Sequence, residues 1–191
     1  MKKSISIIIS LLLAIPIWSR DYNIVTQGKA IDDGKTLNTK IIQSAIDQLS
    51  KEGGGRIIFP KGSYLTGCIQ IKSGIELYLE KEAVILGSTN PDDYYPLNKL
   101  DNTTAESDNS KLALILGYKA KNIALSGEGT IDGQGLALAL NIDSLHHAGL
   151  RIDPNYNVRR MRPNETARPK LFFLSECTNI SITGLHLMNS A

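Results

Sequence analysis

The sequence predicts an all-β fold, a parallel β-helix (a solenoid of stacked coils) with one helix at its N-terminal end. From Arg56 onward, short runs of alternating apolar and polar residues are separated by glycine, proline or asparagine, which is typical of strands joined by turns. Residues 122–127 (NIALSG) recur as residues 179–184 (NISITG), 57 positions later. Only 6% of the residues are aromatic, which suits the thin aliphatic core of a solenoid.

The repeated segment favours a solenoid over a β-sandwich, because its copies follow each other at the length of one coil. The stretch from Leu136 to Pro169 has no strand pattern, and without its 34 residues the spacing is 23 residues, about one β-helix turn. Residues 74–79 (GIELYL) form a weaker third copy. In each copy isoleucine or leucine alternates with other residues, so the apolar side chains of stacked strands would share one interior.

The first 19 residues predict a secretory signal peptide rather than a retained membrane anchor. Met1-Lys2-Lys3 is a positive start, and the apolar run after it ends near Trp18, which is short for a membrane span. Without Lys2 and Lys3 the chain carries 19 Lys and Arg against 19 Asp and Glu. We therefore expect an exported protein, periplasmic or extracellular, with no membrane span after cleavage and no nucleic-acid partner attracted by net charge.

Residues 20–191 are predicted to form one domain that opens with a strand, a loop and a helix. The strand covers about residues 21–25, and the helix is capped by Asn38 or Thr39 and runs to about Lys51. The apolar residues that recur with a helical period are Ile41, Ile42, Ala45, Ile46 and Leu49. Three glycines at 53–55 end the helix. It is the only strong helix pattern, and we expect it to cover an open apolar end of the solenoid.

The first coils are predicted to contain strands at about residues 57–59, 69–71, 75–79 and 84–86. Cys68 and Cys177 lie in separate strand-like segments. Export would permit a disulfide between them, although a small core residue is the more usual role of an isolated cysteine.

Two long loops interrupt the predicted coils, at about residues 90–110 and 136–170. The first is acidic, with the carboxylates Asp92, Asp93, Asp101, Glu106 and Asp108. The second is basic, with the cations Arg151, Arg159, Arg160, Arg162, Arg168 and Lys170. Long loops on a rigid solenoid commonly shape a binding cleft. A solvated surface loop is at least as good an interpretation of the acidic one.

Four segments in this order resemble glycoside hydrolase family 28, the polygalacturonase family. They are residues 53–67 (GGGRIIFPKGSYLTG), 77–88 (LYLEKEAVILGS), 127–135 (GEGTIDGQG) and 168–190. The resemblance runs from about Tyr22 to the last residue. It implies a right-handed parallel β-helix that hydrolyses galacturonic-acid linkages of pectin with inversion, without a metal or other cofactor. The implied partner is an acidic polysaccharide, pectin or galacturonan, and the implied full-length protein is a monomer.

The catalytic residues of that family cannot be placed on this chain. In the family they lie in an Asn-Thr-Asp segment, an Asp-Asp pair, a Gly-His-Gly histidine and an Arg-Ile-Lys pair, beyond the coil that corresponds to Asn189-Ser190. The Asn-Thr-Asp, Gly-His-Gly and Arg-Ile-Lys motifs do not occur in the 191 residues. We therefore assign no catalytic residue. We expect the chain to be an N-terminal portion that lacks the catalytic coils, is inactive alone and tends to associate through its last coil.

Other candidate residues have simpler interpretations. Asp32-Asp33 and Asp92-Asp93 stand beside glycine or proline and are interpreted as turn residues, because neighbours on a strand point to opposite faces. An inverting glycosidase needs its two carboxyl groups on opposite sides of one sugar. His146-His147 is interpreted as a surface loop pair, since no third ligand stands at a metal-binding spacing. Asp132 is interpreted as a turn residue that ends a coil.

Arg159, Arg160 and Arg162 are the predicted substrate-binding residues. A guanidinium group is a planar fork of donors that matches a planar carboxylate bidentately, and each galacturonate unit carries one carboxylate. The sequence therefore predicts that the basic loop faces an acidic saccharide.

Two other functions fit the same solenoid. One is a polysaccharide lyase, which cleaves by β-elimination with calcium and a basic residue and produces an unsaturated product that absorbs ultraviolet light. The other is a non-enzymatic glycan-binding or structural β-helix. The hydrolase is preferred, because the four matching segments occur together.

Overall fold

The computed structural model of the chain describes residues 20–96 and 110–191, so the predicted signal peptide at 1–19 and most of the acidic loop lie outside the described residues. The strands are β1 Asp21–Asn23, β2 Gly55–Phe59, β3 Gly62–Thr66, β4 Ile69–Ile71, β5 Ile75–Leu79, β6 Ala83–Gly87, β7 Ala113–Tyr118, β8 Lys121–Gly127, β9 Thr130–Asp132, β10 Lys170–Ser175, β11 Thr178–Thr183 and β12 His186–Met188. The helices are α1 Thr39–Lys51 and α2 Gly135–His147, and short 3-10 turns cover Pro91–Asp93 and Glu165–Ala167.

The strands form three sheets in which every pair is parallel. The sheet orders are β1-β2-β5-β8-β11, β10-β7-β4 and β12-β9-β6-β3. Each coil therefore gives one strand to each sheet in turn, beginning with β2, β3 and β4. Gly55 pairs with Ile75, so an uninterrupted coil advances by 20 residues. This is the arrangement of a parallel β-helix, as the repeated segments predict.

The repeats in the sequence are stacked strands in the structure. Ile180 of β11 pairs with Ile123 of β8, at the predicted separation of 57 residues. The weaker copy stacks too, because Leu77 of β5 pairs with Leu125 of β8. Ile123, Leu125 and Leu77 are buried and form part of one continuous aliphatic core. The predicted inward positions are therefore confirmed.

Helix α1 lies against β2, β4 and β5 and covers one end of this core. Its buried residues are Ile42, Ala45, Ile46 and Leu49, as the helical period predicts. Asn38 is the N-cap residue, as predicted, but its side chain forms no capping hydrogen bond with the helix. The Asn38 amide instead bonds the backbone of Ile31 and Thr36, and Thr39 Oγ1 accepts the Gly67 N–H at 2.7 Å. Both side chains tie the start of the helix to the chain around it.

Helix α2 lies in the segment for which the sequence predicts irregular structure. It is rich in alanine and leucine, which favour helix. Its apolar residues do not form one stripe, because Leu138 and Ile142 are buried whereas Leu136 and Leu140 are 75% and 60% exposed. The absence of an amphipathic period explains why the pattern did not predict this helix.

Cys68 is buried and Cys177 is half-buried, and both are free thiols. Burial raises the pKa of Cys68 to about 12, which keeps this thiol protonated. Within the described residues no helix is long and apolar enough to cross a membrane.

Candidate substrate-binding site

The acidic and basic interruptions of the solenoid lie against each other. Arg151 forms an ion pair with Asp92, and the side-chain amide of Asn141 donates to the Thr89 carbonyl at 2.9 Å. Helix α2 contacts the 3-10 turn Pro91–Asp93. Asp92 of the first loop therefore neutralises the charge of Arg151. Arg151 differs in this respect from Arg159, Arg160 and Arg162, the predicted binding residues.

The predicted binding residues lie on a tight hairpin. Asn157 and Arg162 form an antiparallel bridge, in which each backbone N–H donates to the other residue's carbonyl at 3.1 and 3.3 Å. Asn157 Oδ1 also accepts the Arg160 N–H at 3.0 Å. Met161 closes the turn with a φ of 48°. Arg159 and Arg160 are consequently held at the exposed tip.

A second turn fixes the base of the hairpin. Asn164 precedes the 3-10 turn Glu165–Ala167, and its Oδ1 accepts the Thr166 N–H at 2.9 Å. The Asn164 N–H donates to Asp153 Oδ2 at 2.8 Å, and the Asn164 amide donates to the Asn155 carbonyl at 3.1 Å. These bonds involve backbone groups, the Asn164 amide and the Asp153 carboxylate, so no arginine side chain is needed to hold the turn.

Hairpin and turn enclose an open cleft of about 330 Å³. Its lining residues are Asn157, Arg160, Arg162, Pro163, Asn164 and Glu165. The structure thus brings Arg160 and Arg162 to one cleft, whereas Arg159 is exposed on the same hairpin and is not among the lining residues. The binding role of the three arginines stays a prediction.

The cleft also contains a carboxylate that the sequence interpretation missed. Arg162 Nη2 lies 3.0 Å from Glu165 Oε1, and Arg168 Nη2 lies 3.6 Å from the same oxygen. The spacing of three residues between Arg162 and Glu165 was visible in the sequence. It was not informative there, because residues three apart are neighbours only in a helical turn, and the segment carried no helix pattern.

The histidine pair contacts other residues of the insertion. The prediction that it lies in a surface loop is wrong. His146 and His147 lie in the last turn of α2. The His146 ring stacks on Tyr156 with centroids 4.2 Å apart, and its Nδ1 accepts the Asp153 N–H at 3.0 Å. Tyr156 donates to the Asp143 carboxylate, which raises the pKa of Tyr156 to about 12. No group of three or more metal-ligating side chains occurs in the described parts of the chain.

The adjacent aspartates serve turns, as predicted. Asp33 Oδ1 accepts the N–H groups of Thr36 and Lys35 at 2.7 and 2.8 Å, and these bonds lower the pKa of Asp33. Asp93 lies in the 3-10 turn Pro91–Asp93 and accepts from Ser88 Oγ.

Asp132 is a turn residue, as predicted, but it ends strand β9 and not a coil, which β10 completes. Its Oδ1 accepts the Gln134 N–H and the Asn189 amide, both at 2.9 Å. A second cleft, of about 360 Å³, opens beside this turn. Its lining residues are Asp132, Gln134, Leu136, Ala137, Leu140 and Asn189.

Three parallel sheets wound by successive coils, with a basic hairpin on an insertion, define the chain as a parallel β-helix protein. No protein-family model matches the chain. It is 32% identical to a protein named "Probable polygalacturonase" from Vitis vinifera, over 84% of this chain and 30% of that protein. It is 37% identical to an exo-poly-alpha-D-galacturonosidase of Dickeya chrysanthemi, over 58% of this chain and 19% of that protein.

Among solved structures, a family 28 exopolygalacturonase of Yersinia enterocolitica superposes with a TM-score of 0.67 and 28% identity, over 90% of this chain and 35% of that one. In sequence and in coil architecture the chain is therefore similar to glycoside hydrolase family 28, the polygalacturonase family, and its β-helix is right-handed. It spans less than a third of the length of the two curated relatives.

Proposed function

We propose that the whole protein hydrolyses galacturonic-acid linkages of pectin, as a polygalacturonase-type glycosidase that inverts the anomeric centre. The observation that carries the proposal is the joint likeness in sequence and coil architecture to proteins named for galacturonan cleavage. The whole protein would bind the acidic polysaccharide after export, which agrees with the predicted signal peptide.

In this proposal the described part of the chain recognises substrate and supplies no catalytic carboxylate. Inversion needs an acid and a base about 6.5–9.5 Å apart across one sugar. Asp33 and Asp93 accept hydrogen bonds that hold their turns, and Asp92 is paired with Arg151. We accordingly propose that the 191-residue chain is inactive by itself. A further part of the proposal is that the whole protein is a monomer.

The contribution of this chain would be the arginine cleft. Arg160 and Arg162 line it, and Arg159 extends from the same hairpin tip. The hydrogen bonds of Asn157 and Asn164 fix the backbone that carries these arginines, which reduces the backbone entropy lost when a saccharide binds.

The reaction is tested by incubating the whole protein with polygalacturonate and measuring two products. A hydrolase produces new reducing ends with no gain in ultraviolet absorbance, which is the expected result. Absorbance from an unsaturated sugar would identify a lyase. Binding without either product would identify a glycan-binding β-helix and overturn the proposal.

The arginine cleft is tested by replacing Arg159, Arg160 and Arg162 together with alanine. Because exposed charge pairs contribute little individually, we expect the three to account for about a tenfold loss in affinity for oligogalacturonate. The matched control replaces three exposed lysines with alanine: Lys35 before helix α1, Lys40 in α1 and Lys81 between β5 and β6. Equal losses in both variants would assign the effect to net charge and remove the specific role.

A further inference from the structure

The arginine cleft contains the carboxylate of Glu165, which lies close to two guanidinium groups. Glu165 Oε1 lies within 3.0 Å of Arg162 Nη2 and 3.6 Å of Arg168 Nη2. We propose that Glu165 limits the affinity of the cleft for acidic saccharide. It occupies the place of a substrate carboxylate in the empty cleft, and a galacturonate carboxylate displaces it. The inference rests on the proposed function, because it assumes that the cleft binds an acidic saccharide.

The pair is placed so that it can open. The Arg162 and Glu165 side chains are 39% and 46% exposed, so water competes for both groups and the ion pair is weak. The Arg56–Glu76 pair is a contrasting case, since its carboxylate is only 7% exposed and is held as part of the coil stack. An exposed pair can exchange partners at little cost, whereas a buried one cannot.

The backbone around Glu165 does not depend on its charge. Asn164 holds the turn through bonds to Thr166, Asp153 and Asn155, and Pro163 is buried at the base of the cleft. Replacing the carboxylate with an amide of the same shape therefore leaves the cleft in place. The change in ligand affinity then reports on the charge of Glu165.

Competition by Glu165 acts on charged sugars and not on neutral ones. A galacturonate unit can replace Glu165 because it presents a bidentate carboxylate to the same guanidinium. A methyl-esterified unit has no charge with which to displace Glu165, so the pair stays closed and Arg162 contributes nothing to its binding. Glu165 would thus narrow the difference in affinity between de-esterified and esterified stretches of pectin, and it would ease the release of the charged ones.

The test is the variant Glu165→Gln, with affinities for oligogalacturonate and its methyl ester measured by calorimetry. We expect oligogalacturonate to bind about two- to fivefold more tightly, the size of one exposed ion pair, and the methyl ester to bind as before. Combining the variant with Arg162→Gln should remove most of the gain, since Arg162 is the nearer of the two guanidinium partners of Glu165. Glu82→Gln is the matched control, because it removes another exposed, ion-paired carboxylate, that of the Lys61 pair.

The outcomes separate this inference from the function on which it rests. Weaker binding by Glu165→Gln would show that Glu165 positions Arg162 and would overturn the competition. Unchanged binding, with a loss in the arginine triple variant, would also overturn it but leave the arginine cleft standing. A gain equal to that of Glu82→Gln would reduce the effect to net charge and overturn it. Unchanged binding in both Glu165→Gln and the arginine triple variant would overturn the inference and the proposed cleft together.

Discussion

Glu76 shows how a charged residue can point away from the core and still be buried. It alternates with the inward residues Ile75 and Leu77 on β5, yet only 5% of it is exposed. Its carboxylate accepts from Arg56 Nε at 2.7 Å and from Ser126 Oγ at 2.5 Å. The hydrogen bond to Glu76 raises the pKa of Arg56. One carboxylate thus ties three neighbouring strands of the first sheet, β2, β5 and β8.

Replacing Glu76 with alanine should lower the free energy of unfolding by about 2–3 kcal/mol. The change leaves the Arg56 guanidinium without its carboxylate and removes the acceptor of Ser126, in a setting where water cannot fully compensate. Urea unfolding followed by circular dichroism measures the loss. Glu80→Ala, which removes an exposed carboxylate next to the same strand, is the control. Equal losses in the two variants would contradict the tie between strands.

The Asp33 turn predicts a dependence of stability on pH. The N–H groups of Thr36 and Lys35 hold the folded-state pKa of Asp33 below the value of about 3.9 for the unfolded chain. Its stabilising contribution is therefore complete above about pH 4 and is lost as the pH falls through the folded-state pKa. Asp33→Asn should be less stable than wild type near neutrality and should lose less stability on acidification.

Urea midpoints between pH 2 and pH 6 test this expectation. Glu128→Gln, which removes an exposed carboxylate from another coil, shows the effect of losing one charge by itself. If the urea midpoints of wild type and Asp33→Asn change equally with pH, the Asp33 turn does not contribute to the pH dependence of stability.

Adjacent coils are also joined at the corner where β8 and β11 begin. Asn122 and Asn179 both adopt the left-handed conformation, with φ of 56° and 55°, and the Asn179 amide donates to Asn122 Oδ1 at 2.9 Å. Gly74, at the matching position one coil earlier, has a φ of 76°. Asparagine and glycine are the residues that tolerate this conformation, which explains their recurrence in the repeated segments.

Asn122→Ala should destabilise the chain by about 1–2 kcal/mol, because alanine strains the left-handed backbone and the side-chain bond to Asn179 is lost. Asn122→Gly removes the same bond without the strain and should cost about half as much. Thermal or urea unfolding of the two variants separates the contributions. A glycine variant less stable than the alanine variant would show that the corner is not limited by backbone conformation.

For the whole molecule, the sequence was informative wherever neighbours in the fold repeat one another. Ile123 and Ile180 are 57 residues apart in the sequence and are paired in the stacked strands β8 and β11. The repeat therefore predicts which strands stack, their register and which side chains point inward. Nothing comparable marks the insertion between them. The Arg151–Asp92 pair joins residues 59 positions apart, and the contact of Glu165 with Arg162 depends on a 3-10 turn that has no periodic signal. Such contacts depend on how loops pack on a scaffold, which a local pattern does not encode.

The last described coil exposes strand edges beside apolar side chains. Strands β10, β11 and β12 each pair with a single strand in the described part of the chain. Four apolar side chains of this coil, Ile180, Ile182, Leu187 and Met188, are between 41% and 46% exposed. A strand edge beside apolar surface is a template for pairing between molecules. The 191-residue chain should therefore associate as its concentration rises, with a sedimentation coefficient that depends on concentration.

Replacing Ile180 and Ile182 with threonine should weaken this association several-fold, because threonine keeps the β propensity of the strand and removes part of its apolar surface. The matched control replaces Leu150 and Ile152, which are 77% and 64% exposed on the insertion, with threonine. Sedimentation velocity over a hundredfold range of concentration compares the three proteins. If the control lowers association as much as the Ile180 and Ile182 variant, the contact runs through the insertion. If the unmodified chain sediments as a monomer at every concentration, the exposed coil is not a site of association.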